Sequence, residues 1–83
     1  MTPDQIASQL AELMQSIMDT EINPSQPEAR LVDDYGADSM DMMEIADRLE
    51  DKFGITIYND ELRTIQTFGD AVALIETRIS DAV

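Results

Sequence analysis

Ser39 is the side chain in this sequence best suited to chemistry, yet the groups that usually activate a serine are missing. The 83 residues include no histidine, cysteine or tryptophan, and the basic residues are Arg30, Arg48, Lys52, Arg63 and Arg78. A serine hydroxyl is a weak nucleophile until a base takes its proton, so any covalent modification of Ser39 needs an external enzyme. The same absences exclude a Cys/His zinc site, a disulfide framework and histidine acid/base catalysis. Carboxylates are plentiful instead: 18 Asp and Glu against 5 Lys and Arg give a formal charge of -13. Asp33, Asp34, Asp38 and Asp41 crowd around Ser39. Placing Gly36 at the sixth position of an EF-hand loop puts Leu31 at the first, so that register fails and only loose surface binding of cations is expected. Hydrolysis by paired carboxylates would need an enclosed pocket, which this spacing does not suggest.

The element that must position Ser39 is the amphipathic helix it opens. Met42, Ile45, Ala46, Leu49 and Phe53 recur at helical spacing and form a core-facing stripe. The opposite side gathers Met40, Met43, Glu44, Asp47 and Asp51, with Asp41 and Glu50 at its margins. Two large apolar side chains framed by carboxylates are expected to be a docking surface. Asp38 or Ser39 is the N-cap; if Asp38 caps, Asp41 can close a capping box. Gly36 lets the backbone turn into the helix. A serine in such a place is most often a cap and nothing more.

The run Gly36-Ala37-Asp38-Ser39-Met40-Asp41, set between an acidic loop and an acidic helix, resembles the attachment motif of acyl carrier proteins. That motif is usually written Asp-Ser-Leu, and Met40 replaces the leucine with similar volume and character. The resemblance covers nearly the whole chain. It implies that Ser39 bears a 4'-phosphopantetheine arm, delivered from coenzyme A by a phosphopantetheinyl transferase, with acyl groups held as thioesters on the arm's sulfur. It also implies a carrier rather than an enzyme. Acyl-processing enzymes with basic surfaces would dock on Asp38, Met40, Asp41, Met43, Glu44, Asp47, Glu50 and Asp51. Asp47 stands where many members have an apolar residue, Tyr58 where many have proline, and Tyr35 where leucine is common. A phosphodiester at Ser39 would sit at the positive end of a helix, where anions are favoured. A chain without cysteine needs an imported thiol for thioester chemistry.

The remaining segments read as support. Thr2-Pro3-Asp4-Gln5 is a helix start with a Thr cap, Pro at the first helical position and Gln three residues past the cap. Ile6, Leu10, Leu13, Met14 and Ile17 then continue at helical spacing to about Met18 or Asp19. From Thr20 to Ala37 the periodicity stops and Pro24, Pro27, Asn23, Ser25 and Gly36 accumulate, the marks of a long loop. Ile22, Leu31, Val32 and Tyr35 are expected to pin it to the core, and a buried Tyr35 hydroxyl needs a partner or water. Gly54 ends the motif helix, and Ile55-Thr56-Ile57 is read as an extended connector. Asn59 or Asp60 caps a short helix through Ile65. Thr67 and Asp70 repeat the capping signal for a last helix with Phe68, Val72, Ile75 and Ile79 on its apolar stripe, helped by Ala71 and Leu74, and Asp81-Ala82-Val83 is expected to fray. The fold class is therefore all-α: one domain over 1-83, a small four-helix bundle with three main helices, a short third one, and a long loop between the first two.

Charge narrows the partners further. Nucleic acid is excluded, because phosphate neutralisation requires clustered Lys and Arg; basic protein surfaces are favoured and would associate faster in this field. No apolar run approaches the roughly 20 residues of a membrane span, and a helix begins at once without the basic and apolar regions of a signal peptide, so a cytoplasmic address is expected; the chain is also expected to be a monomer. Two competing readings are an aminoacyl or peptidyl carrier, which shares the arm and the fold, and an unmodified acidic helical adaptor. The Asp38-Ser39 pair favours acyl cargo; the pathway, whether fatty acid, polyketide or another, is not specified by these residues.

Overall fold

The computed structural model describes residues 1-81, and over them the chain forms four helices: α1 (Pro3–Met18), α2 (Ser39–Phe53), α3 (Asn59–Thr64) and α4 (Phe68–Asp81). Each long helix begins with a reciprocal cap that its own sequence supplies. In α1, Thr2 Oγ1 accepts the Gln5 N–H at 3.2 Å and Gln5 Oε1 accepts the Thr2 N–H at 2.9 Å. In α4, Thr67 Oγ1 accepts the Asp70 N–H at 3.0 Å, and Asp70 Oδ2 accepts the N–H groups of both Thr67 and Gln66 at 3.1 Å. These boxes satisfy N–H groups that the first helical turn leaves unpaired.

α1 is the common partner of the bundle, since α2 and α4 both pack against it. Its inward face, Ile6, Ala7, Leu10, Ala11 and Met14, is buried together with Ile45 and Leu49 of α2 and Phe68, Ala71 and Ile75 of α4. The expected stripes are correct in phase, but their edges are half-buried: Leu13, Ile17, Met42, Phe53, Val72 and Ile79 pack against this core without being enclosed by it.

The loop between α1 and α2 is strapped to the start of α4. Phe68 and Gly69 donate to the carbonyls of Ala29 and Pro27 at 2.8 Å each, and the Leu31 N–H reaches the Gln66 carbonyl at 3.0 Å. Arg30 and Thr67 form an isolated antiparallel bridge here. Ile22, Ala29, Leu31 and Ala37 are buried, and the half-buried Tyr35 finds a partner for its hydroxyl, which accepts the Asn23 N–H at 3.4 Å. Val32 does not pin the loop: it is 59% exposed, because Leu31 takes the inward position and the chain turns directly after it.

Gly54 closes α2 at φ 66, a left-handed conformation that favours glycine. Ile55-Thr56-Ile57 is a connector without regular secondary structure, in no strand pairing among the described residues, and Ile55 is buried. Neither Asn59 nor Asp60 caps α3. Tyr58 occupies the cap position, and its N–H is received by Glu61 Oε1 at 3.1 Å, so α3 starts one residue before Asp60 and ends at Thr64 rather than Ile65. Asp81 belongs to α4, while the expected fraying of Ala82 and Val83 lies outside the described residues.

Candidate functional site

The cap of α2 determines what Ser39 is free to do. Asp38 Oδ1 accepts the Asp41 N–H at 2.8 Å, and Asp41 Oδ2 accepts the Asp38 N–H at 3.1 Å. Two aspartates thus complete the box, and Ser39 becomes the first helical residue, exposed, with its hydroxyl in no hydrogen bond among the described residues. The capping task that would have made Ser39 structural is done by its neighbour. The approach to Ser39 is fixed from behind: Gly36 turns at φ 74, its N–H donates to the Val32 carbonyl at 2.9 Å, and buried Ala37 donates to the Leu31 carbonyl at 3.0 Å.

A groove of about 590 Å³ opens beside Ser39, between α2, α3 and the end of the long loop. Ser39, Met42 and Met43 of α2 line it at i, i+3 and i+4, and Asn59, Leu62 and Arg63 of α3 do so at the same spacing. Val32, Ala37, Asp38 and Ile65 complete its walls. None of these α3 residues is among the expected site residues, although Leu62 and Ile65 at i, i+3 are an available signal for an apolar wall. Val32, displaced from the core, belongs here too. An exposed hydroxyl beside a mainly apolar groove fits a phosphodiester-linked arm on Ser39 with a chain of low polarity lying alongside.

The acidic side of α2 carries the expected exposed apolar groups, Met40 at 78% and Met43 at 60%. Asp38, Glu44, Asp47 and Asp51 are exposed around them, and Glu44 pairs with Arg48 along the helix at 3.2 Å. Asp41 and Glu50 are half-buried and have structural partners: Asp41 closes the cap, and Glu50 Oε2 accepts the Ile57 N–H at 2.9 Å, holding the connector to α2. No helix among the described residues is long and apolar enough to cross a membrane.

Comparison with known proteins agrees with this geometry. The sequence family described as "Phosphopantetheine attachment site" matches residues 8–75. A meromycolate extension acyl carrier protein of Mycolicibacterium smegmatis is 39% identical over 75 residues, covering 90% of this chain and 76% of that protein. An acyl carrier protein of an Exiguobacterium species is 38% identical over 79 residues, covering 95% of this chain and all of that one. The crystal structure of an acyl carrier protein from Thermotoga maritima superposes with a TM-score of 0.88, covering 100% of this chain and 96% of that chain; at 18% identity it attests the fold alone. Acyl carrier proteins bear phosphopantetheine and act as carriers that acyl-processing enzymes work upon, not as catalysts. The chain belongs to the phosphopantetheine-bearing acyl carrier protein family.

Proposed function

We propose that Ser39 is the attachment point of the arm and that the protein presents acyl groups to successive enzymes of acyl-chain biosynthesis. The observation that carries this reading is the free hydroxyl: Asp38 and Asp41 cap α2 between them, so Ser39 stands exposed at the helix start with no structural task. Attachment forms an ester between Ser39 Oγ and the phosphorus of coenzyme A's pantetheine phosphate and breaks the pyrophosphate bond, so that adenosine 3',5'-bisphosphate leaves with the bond's electron pair. The serine proton leaves to a base on the transferase, because this chain has no histidine to receive it. When bound, the arm supplies a terminal thiol that holds acyl groups as thioesters.

The side chains of the protein have three duties in this scheme. Ser39 anchors the arm. The exposed carboxylates Asp38, Glu44, Asp47 and Asp51 steer basic partner surfaces toward it, with Asp41 and Glu50 adding to the field from the margins of the face. Met40 and Met43 give apolar contact at the centre of that face, adapting to different partners as flexible thioether side chains do. The relative named for meromycolate extension supports a role in lengthening or modifying acyl chains. The protein acts as a cytoplasmic monomer, a single domain with one attachment point.

Incubation with coenzyme A and a broad-specificity phosphopantetheinyl transferase, followed by intact mass, tests the attachment. A gain equal to the arm that disappears in Ser39→Ala supports the carrier. No gain under conditions that modify another acyl carrier protein favours an unmodified acidic adaptor. Loading by amino-acid-activating enzymes in preference to acyl transferases would instead favour an aminoacyl or peptidyl carrier.

A further inference from the structure

The groove beside Ser39 contains one cation, Arg63, and that cation has no ion-pair partner among the described residues. Arg30, Arg48 and Arg78 are each paired with a carboxylate, with Asp33 at 3.0 Å, Glu44 at 3.2 Å and Glu61 respectively. Arg63 forms no such pair among the described residues, although carboxylates outnumber basic residues 18 to 5. It lines the groove with Asn59 one helical turn away, across from Met42 and Met43.

A guanidinium carries five N–H donors and no acceptor, and the asparagine amide adds two more donors. A saturated chain lying in the groove would present only C–H groups to them. A chain with an oxygen along its length gives these donors an acceptor while its methylene groups keep the contact with Met42, Met43 and Leu62. A neutral oxygen suits the site better than a carboxylate, because Asp38 lines the same groove and the protein carries a net charge of -13.

We propose that Arg63, assisted by Asn59, is a specificity-determining residue that makes the groove prefer oxoacyl cargo to saturated cargo of equal length. This rests on Ser39 being the attachment point. The preference for occupying the groove is expected to be roughly fivefold, the equilibrium factor of one ordinary net hydrogen bond.

The test loads the ¹⁵N-labelled protein through Ser39 with amide-linked, hydrolysis-proof pantetheine analogues bearing either octanoyl or 3-oxooctanoyl, alongside protein carrying the arm alone. The Arg63 Nε–H resonance and its exchange with solvent are followed by NMR. The proposal expects 3-oxooctanoyl to shift this resonance and slow its exchange roughly fivefold relative to octanoyl. It also expects Arg63→Met, at an exposed position that tolerates substitution, to abolish the difference between the two cargoes in the chemical shifts of α3 amides. Equal responses to the two chains would overturn it. So would a shift already complete with the arm alone, since Arg63 would then be pairing with the phosphodiester. Failure to load the analogues at all would count against the attachment point itself, so the two ideas fail in distinguishable ways.

Discussion

Arg78 of α4 and Glu61 of α3 form an ion pair that joins two helices, the others among the described residues lying within the long loop or within α2. The same guanidinium donates from Nε to the Thr56 carbonyl at 3.3 Å and lies over the Tyr58 ring, 5.9 Å from its centroid. α3 has no fully buried residue, so this polar grip stands in for the packing that a longer helix would have. Since α3 forms one wall of the groove beside Ser39, Arg78 holds that wall through Glu61, 17 residues away in sequence.

Arg78→Met is accordingly expected to cost about 1 kcal/mol, because the pair is only about a quarter exposed, at 22% and 26%, and is screened less than a surface pair. Thermal melting should fall by roughly 5 °C for a domain of this size. Amide exchange should accelerate in α3 and the connector while α1 stays protected. Arg78→Lys should recover little, since an ammonium cannot match the planar fork that reaches Glu61 and Thr56 together. Uniform acceleration across all four helices would contradict a local clamp.

Glu50 and Asp47 separate folding from docking on one helix. Glu50→Ala leaves the Ile57 N–H without its acceptor and is expected to cost about 1 kcal/mol in urea unfolding. Asp47→Ala removes an exposed charge with no hydrogen-bond partner among the described residues and should stay within about 0.5 kcal/mol of the parent. Asp47→Lys should slow modification by a phosphopantetheinyl transferase roughly threefold to tenfold at low salt, with the difference shrinking as salt is added. A salt-independent effect would point away from electrostatic docking.

The difference between these two glutamate and aspartate residues shows what could and could not be read from sequence. Caps are local, so Thr2 with Gln5, Asp38 with Asp41, and Thr67 with Asp70 were recognisable three residues apart, and all three boxes form. The helical stripes were recognisable for the same reason. Interactions closing over longer separations were not: Glu50 to Ile57 spans 7 residues, Glu61 to Arg78 spans 17, and nothing periodic marks either. Val32 is apolar like Leu31, but in an irregular loop neither period fixes which of two adjacent apolar residues faces the core, and Leu31 takes that place. Ala7, Ala11, Ala29 and Ala37 are buried too, and sequence marks them poorly because small side chains lend little to an apolar pattern.

The charge of -13 sets a further expectation. Self-repulsion among 18 carboxylates destabilises the compact state, and counter-ions relieve it. Magnesium at millimolar concentration should raise the melting temperature, and monovalent salt should do so at higher concentration. A melting temperature unchanged or lowered by magnesium would contradict this.

Asp70 provides a pH-dependent counterpart. The backbone N–H of Thr67 first, then that of Gln66, hold its carboxyl below the usual aspartate range against an opposing desolvation, with the Thr67 hydroxyl and the Arg30 charge adding lesser contributions. A depressed folded-state pKa means that its stabilisation is fully present above the unfolded value, 3.8, and is lost as pH falls through the folded value. Asp70→Asn should therefore destabilise the protein at neutral pH by less than about 1 kcal/mol, given the exposed position, and the gap between variant and parent should narrow below about pH 4. Urea unfolding of both proteins across pH 2.5 to 7 reads this directly, and a gap that widens in acid would reverse the sign.

The attachment itself is tested most directly on protein purified from the cells that make it, digested and mapped by tandem mass spectrometry. The expected result is a phosphopantetheine-modified peptide containing Ser39, with the arm released as its characteristic fragment on activation and the mass addition absent from every other serine. Recovery of that peptide only in its bare form, from cells whose other acyl carrier proteins are modified, would contradict the assignment.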